Sequence, residues 1–123
     1  MQFSLQERSR VEGVSRALRN AHAFSPFRLD VRNEQLWRDR ALVPVRPKPF
    51  AVLAYLATHA GRLVPATELR KAVWPQTYVS EGLLRSYIRE VRSVLGDDPE
   101  RPRFIETVPR RGYRFSPLSP LLR

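Results

Sequence analysis

Ser80-Glu-Gly-Leu-Leu-Arg-Ser-Tyr-Ile-Arg-Glu-Val-Arg-Ser-Val-Leu-Gly96 spells a helix with two unlike faces. Leu84, Ile88, Val91 and Leu95 recur at three- and four-residue spacing and form an inward stripe, with Leu83, Tyr87 and Val94 beside it. Ser80 suits the N-cap, and Glu81 meets the positive end of the helix dipole. Gly96-Asp-Asp-Pro99 stops the helix. The opposite face carries Gly82, Arg85, Ser86, Arg89 and Ser93, with Arg92 at its edge. After this helix, Phe104-Ile-Glu-Thr-Val108 and Tyr113-Arg-Phe-Ser116 read as strands joined by Pro109-Arg-Arg-Gly112. The result is a hairpin with Arg110 and Arg111 at its tip, where Gly112 is expected to allow the tight turn. Tyr113 and Phe115 alternate with Arg114, so one hairpin face packs on a core.

Upstream, two more helices precede the Ser80 helix. Phe50, Leu53, Leu56, Ala57 and Ala60 make an apolar stripe from Pro47 to the stop at Gly61. Arg62-Leu-Val64 is a short bridging strand. A second helix opens near Pro65 to Thr67, turns Leu69, Ala72 and Val73 inward, and closes at Trp74 before Pro75. Further back, Phe27-Arg-Leu-Asp-Val31, Gln35-Leu-Trp-Arg38 and Ala41-Leu-Val-Pro-Val45 alternate apolar and polar residues between polar pairs, the pattern of a strand meander. Pro44 confines the last of these strands to an edge or an end.

The 123 residues suit one domain, and 42% hydrophobic with 10% aromatic residues supply a core. No apolar run approaches a membrane span, and the first 20 residues lack a secretory pattern, which makes the cytoplasm the expected compartment. There is no cysteine, hence no disulfide or thiolate metal site. His22 and His59 stand alone, and no nucleophile elbow, phosphate-binding loop or zinc motif occurs. Neither an enzyme nor a cofactor protein is expected. The formal net charge of +10, from 22 Lys+Arg against 12 Asp+Glu, favours a polyanionic partner. Lys48 and Lys71 are the only lysines, and arginine is the side chain suited to bidentate contact with phosphate and guanine.

Strands, helix, short strand, helix, loop, helix and basic hairpin compose an α+β winged helix-turn-helix. In such modules the second helix of the helix-turn-helix enters the DNA major groove. Arg85, Ser86 and Arg89 are the side chains expected to read bases or adjacent phosphates, and Gly82 leaves room for close approach. A competing arrangement pairs Arg89 with Glu90 on the surface. Arg110 and Arg111 are placed to enter a minor groove or to meet phosphates. The alternative use of the fold is protein–protein contact, which a polar or acidic third-helix face would favour over Arg85, Arg89 and Arg92. RNA binding calls for exposed stacking aromatics, whereas the aromatics here fall mostly on inward positions.

Further motifs carry a family resemblance. They are Arg46-Pro-Lys-Pro-Phe50, Gly61-Arg-Leu-Val64, Glu68-Leu69 through Val73-Trp74, Ile88-Arg89 with Val91-Arg92 and Leu95-Gly96, Thr107-Val108, and Gly112-Tyr-Arg-Phe115. From Phe27 to Phe115 the chain resembles the OmpR/PhoB-type winged-helix DNA-binding domain, found also in regulators of the CadC and ToxR kind. The resemblance implies a four-stranded N-terminal antiparallel sheet, three helices and a C-terminal hairpin wing. It implies transcription regulation, often as tandem dimers on direct repeats. The family's recognition-helix contacts fall on Gly82, Leu83, Ser86, Arg89, Glu90 and Arg92, and its phosphate-touching wing position falls on Thr107. Glu90 and Gly82 depart from basic residues frequent in the family, so base preference does not transfer. The loop Pro75 to Val79 matches a family contact for RNA polymerase, with Trp74 expected in the core. The domain is expected to span residues 25–118, with an N-terminal extension of helical spacing at 1–24 (Leu5, Val11, Val14, Leu18, Ala21) and a tail at 119–123.

Overall fold

The computed structural model describes residues 21–116. Four short strands come first: β1 (Ala21–Phe24), β2 (Phe27–Asp30), β3 (Gln35–Arg38) and β4 (Ala41–Val43). They form an antiparallel sheet in sequence order, with Phe24 opposite Phe27, Leu29 opposite Leu36 and Leu36 opposite Val43. Alternation puts Phe24, Phe27, Leu29 and Leu36 on the buried face. β4 is an edge strand and ends at Val43, directly before Pro44.

Strand β1 lies within the segment 1–24 for which the sequence spacing predicts a helical extension. Ala21–Phe24 pairs along its whole length with β2, and Phe24 is only 1% exposed. The sheet therefore starts at Ala21, not Phe27. The helical reading of residues 1–20 and the tail at 119–123 lie outside the described residues.

Three helices follow: α1 (Pro47–Thr58), α2 (Ala66–Val73) and α3 (Glu81–Leu95). Proline at the start of α1 costs no hydrogen bond there, because the first-turn N–H groups have no helical acceptor. Glu68 in the first turn of α2 and Arg70 and Lys71 in its last turn follow the helix dipole. Ser80 caps α3 by accepting a hydrogen bond from the Leu83 N–H at 3.1 Å. At its other end Gly96 takes a left-handed conformation (φ 65°). The Asp97 N–H then reaches the Arg92 carbonyl at 2.8 Å and the Gly96 N–H the Ser93 carbonyl at 3.2 Å, a Schellman closure.

The second sheet joins β5 (Leu63–Pro65) with the hairpin strands β6 (Ile105–Val108) and β7 (Gly112–Phe115) in the order β5-β7-β6. β7 is thus the middle strand. The two sheets meet through phenylalanines: Phe24 lies edge-on to Phe115 at 5.0 Å and to Phe104 at 5.3 Å, and Phe27 edge-on to Phe104 at 5.7 Å. Below them Leu53 and Leu56 of α1, Leu69 of α2, and Leu84, Ile88 and Val91 of α3 complete one continuous core.

Gly112 is required by close approach. Its φ is +151°, and a Cβ there would sit 2.1 Å from the Val64 carbonyl oxygen and 2.9 Å from the Pro65 Cα. The tight turn itself depends on a different residue. Arg111 N–H bonds to the Val108 carbonyl at 3.0 Å, with Pro109 and Arg110 between them, and Arg110 has φ 66°. Proline first and a left-handed residue second is type II turn geometry, which favours glycine in the second place. The expectation that Gly112 makes the turn is corrected accordingly: Arg110 supplies the left-handed residue, and Gly112 lets β7 press against β5.

Candidate nucleic-acid interface

With Leu84, Ile88, Val91 and Leu95 buried, Gly82, Arg85, Ser86, Arg89 and Ser93 are all exposed along the opposite side of α3. The Ser86 hydroxyl donates back to the Gly82 carbonyl at 3.1 Å, so that face stays tight to the helix. Arg85 approaches Glu81, one turn earlier, at 3.9 Å; both side chains are roughly two-thirds exposed, and such a pair holds an arginine weakly. A Cβ at Gly82 would meet the Arg85 Nη2 at 3.7 Å and the Ser80 Oγ at 3.8 Å, both ordinary contacts. Gly82 is therefore not demanded by the fold.

Among the described residues Arg89 makes no ion pair. The acid beside it is engaged elsewhere: Glu90 accepts from Arg46 Nε at 2.8 Å, and from the same guanidinium's Nη2, across to the start of α1. That bond is the main reason the Glu90 carboxyl titrates below its ordinary range. The Arg46 guanidinium also lies 5.6 Å over the Tyr87 ring, and Tyr87 packs on Trp74 at 5.2 Å. Trp74 is half-buried against the core, as expected. Nothing in the local sequence marks the Arg46–Glu90 pair, because its partners are 44 residues apart.

The wing brings its own charges to the same side. Arg110 and Arg111 are exposed at the hairpin tip. A cleft between α3 and the wing is lined by Glu81, Arg85, Thr107, Arg110, Arg111 and Tyr113. A second cleft is lined by Arg85, Arg89, Arg92, Ser93, Thr107 and Tyr113. Arg85, Thr107 and Tyr113 line both, so helix and hairpin share one basic face. Burial raises the pKa of the Tyr113 hydroxyl, which therefore stays protonated and able to donate at neutral pH.

Arg92 differs from its neighbours. It is half-buried, and its Nη2 donates to the Ile105 carbonyl at 2.9 Å and to the Thr107 hydroxyl at 2.7 Å. Burial lowers its pKa, against the favourable charge of nearby Asp97. Sequence reasoning placed Arg92 correctly at the edge of the exposed stripe but missed this partner. It also read Asp97 only as part of a helix stop. Asp97 is 8% exposed, and its carboxylate accepts from the backbone N–H groups of Arg103 at 2.7 Å and Ile105 at 2.9 Å, with Phe104 at 3.4 Å. No helix among the described residues is long and apolar enough to cross a membrane.

Helices α2 and α3, their connecting loop and the β6–β7 hairpin define a winged helix-turn-helix with one basic face. Residues 39–115 match the family described as Transcriptional regulatory protein, C terminal, and the chain belongs to that family. It is 37% identical over 90 residues to the transcriptional regulatory protein KdpE of Mycobacterium tuberculosis, an alignment covering 72% of this chain and 40% of KdpE. It is likewise 37% identical over 93 residues to the transcriptional regulator HilA of Salmonella typhi, covering 76% of this chain and 16% of HilA. The chain thus spans less than half the length of these relatives, both transcriptional regulators. Among solved structures, the Klebsiella pneumoniae RstA DNA-binding domain in complex with the RstA box superposes with a TM-score of 0.72 at 29% identity, covering 80% of this chain and 98% of that one.

Proposed function

We propose that this chain is the DNA-binding part of a bacterial transcription regulator, acting in the cytoplasm on specific double-stranded sites. The observation that carries the proposal is the shared basic face: Arg85, Thr107 and Tyr113 line two adjoining clefts, one bordered by Arg110 and Arg111 of the wing and the other by Arg89 of α3. In this reading α3 lies in the major groove, and Arg85, Ser86 and Arg89 face base edges or flanking phosphates, with Gly82 allowing close approach. The wing enters the adjacent minor groove through Arg110 and Arg111, and the Thr107 hydroxyl meets a phosphate. Family membership supports the same role, as does the DNA complex of RstA.

Two finer assignments rest on the same reading. The loop Pro75 to Val79 is the surface for RNA polymerase. Tyr78 is 86% exposed there, over a cleft lined by Thr67, Lys71 and Trp74, while Arg70 pins the loop through the Val79 carbonyl at 3.1 Å. Two copies are expected to bind side by side on direct repeats.

Selection of bound duplexes from a random pool supplies a cognate site. Cognate and random duplexes are then titrated with wild type and Arg89→Ala at several salt concentrations. Contact with roughly five to eight phosphates gives a log–log salt slope of about −5 to −7. Arg89→Ala is expected to leave the melting temperature unchanged. Its affinity for the cognate site should fall about tenfold, matching the loss of one base contact of roughly 1–3 kcal/mol. Equal losses on both duplexes reassign Arg89 to a phosphate, and a flat salt response with no selected sequence rejects DNA binding.

A further inference from the structure

We propose that Arg92 is a positioning residue, which locks the wing to the recognition helix and orients the Thr107 hydroxyl instead of contacting DNA itself. This rests on the DNA-binding reading above.

The base of the wing is gripped from both sides by the end of α3. Asp97 takes the N–H groups of Arg103 and Ile105, and Arg92 donates to the Ile105 carbonyl and the Thr107 hydroxyl. One short stretch of chain thus gives its donors to one helix-end side chain and its acceptors to another. The two side chains have the opposite charges this division requires, and the Schellman closure ties their backbones together. Arg85 and Arg89 extend from the same helix into solvent, whereas the Arg92 Nε is buried without an acceptor among the described residues. A guanidinium that leaves a buried N–H unpaired to keep two bonds to the wing is held for those bonds.

The Thr107 hydroxyl has one proton and two lone pairs. Because it accepts from Arg92, its proton is free to point away from that guanidinium. Thr107 is exposed and lines both clefts, so the proton is presented to the groove where a phosphate would lie. The same bonds fix the spacing between Arg89 on the helix and Arg110 and Arg111 on the wing before any ligand arrives. Pre-ordering of this kind raises affinity by lowering the ordering cost of binding.

The test is a double-mutant cycle on the selected duplex. Arg92→Lys keeps the charge but ends short of the position from which Nη2 serves both acceptors, and Thr107→Val removes the hydroxyl at nearly constant shape. Each is made alone and together with Arg110→Ala and Arg111→Ala. Each single change should weaken binding on the order of tenfold, and the losses should not add when the changes are combined. In the background lacking the Thr107 hydroxyl and both tip arginines, Arg92→Lys should cost under about twofold. Equal losses in both backgrounds overturn the proposal and make Arg92 a direct DNA contact. Amide hydrogen exchange of the free protein is the second measurement. Ile105, Glu106 and Thr107 should exchange faster in Arg92→Lys, with Leu53 and Ile88 unchanged. Unaltered exchange at the wing base also overturns the proposal. If the wild type selects no duplex, the DNA reading falls, and the exchange comparison still accepts or rejects the tie between α3 and the wing.

Discussion

Gly112→Ala is the substitution whose cost the structure specifies best. The added methyl would stand 2.1 Å from the Val64 carbonyl oxygen and 2.9 Å from two further backbone atoms of Val64 and Pro65. An ordinary carbon–oxygen contact needs over an ångström more, and the obstructing atoms are backbone, which no rotamer change can clear. β5 must therefore move off β7, although Val64 and Tyr113 are both buried there. Overpacking of this kind costs about 1–3 kcal/mol. The φ of +151° adds about 1–3 kcal/mol for a residue with a side chain. Together these give roughly 2–6 kcal/mol, a large part of the 5–15 kcal/mol typical of a domain. At about 4–8 °C per kcal/mol, the melting temperature should fall by roughly 10 °C or more. Thermal unfolding followed by far-ultraviolet circular dichroism measures this directly. A drop below about 3 °C would refute the close-approach argument.

Three other outcomes are expected. Deleting residues 1–20 should leave the thermal transition cooperative, whereas deleting 1–24 also removes β1 and the buried Phe24, whose loss alone is worth about 3–5 kcal/mol; equal melting temperatures for the two truncations would contradict the sheet register. Arg110→Gly should stabilise the protein by about 1 kcal/mol by relieving its left-handed backbone, while Arg110→Ala keeps the strain. Both should weaken DNA binding alike, and a stability difference of zero between them would show that the turn is not strained. Glu68 is held down to about 2, first by its hydrogen bond from Arg62 and then by that from Tyr55. Its contribution is therefore present above its ordinary value of 4.5 and lost as the pH falls towards 2. Urea midpoints measured between pH 5 and pH 2 should fall more steeply for wild type than for Glu68→Gln, and parallel curves would show that the network does not stabilise the fold.

The parts of the fold that were legible in the sequence are those whose signal is local and periodic. Leu84, Ile88, Val91 and Leu95 declare one buried face of α3 and leave Arg85, Ser86 and Arg89 on the other, because a helix turns the same way wherever it sits. β1 was illegible for the converse reason. Ala21-His-Ala-Phe24 is short and weakly apolar, follows residues of helical spacing, and acquires its strand character by pairing with β2 and seating Phe24 among Phe27, Phe104 and Phe115. At the wing tip, glycine attracted the turn assignment, yet Pro109 takes the first turn position and Arg110 the left-handed second. Arg46–Glu90, Arg92–Thr107 and Asp97 with the backbone of Arg103 to Ile105 are side-chain partnerships across the fold. No spacing rule encodes such distances, and so the sequence set Arg92 at the edge of the exposed stripe without showing its partners on the wing.

The strand order β5-β7-β6 has a consequence for how the protein comes into being. Among the described strands β7 is synthesised last, yet it occupies the middle of its sheet, pairing with β5 on one side and β6 on the other. Until Gly112–Phe115 has left the ribosome, β5 has no partner, Phe24 lacks Phe115, and the wing cannot close beside α3. The N-terminal sheet is by contrast built of neighbouring hairpins and can pair as it emerges. Sequence-distant pairing of the β5–β7 kind is the slow step expected in folding. A nascent chain therefore carries its arginines exposed on α3 well before it has the rigid face that would let it choose one site among many.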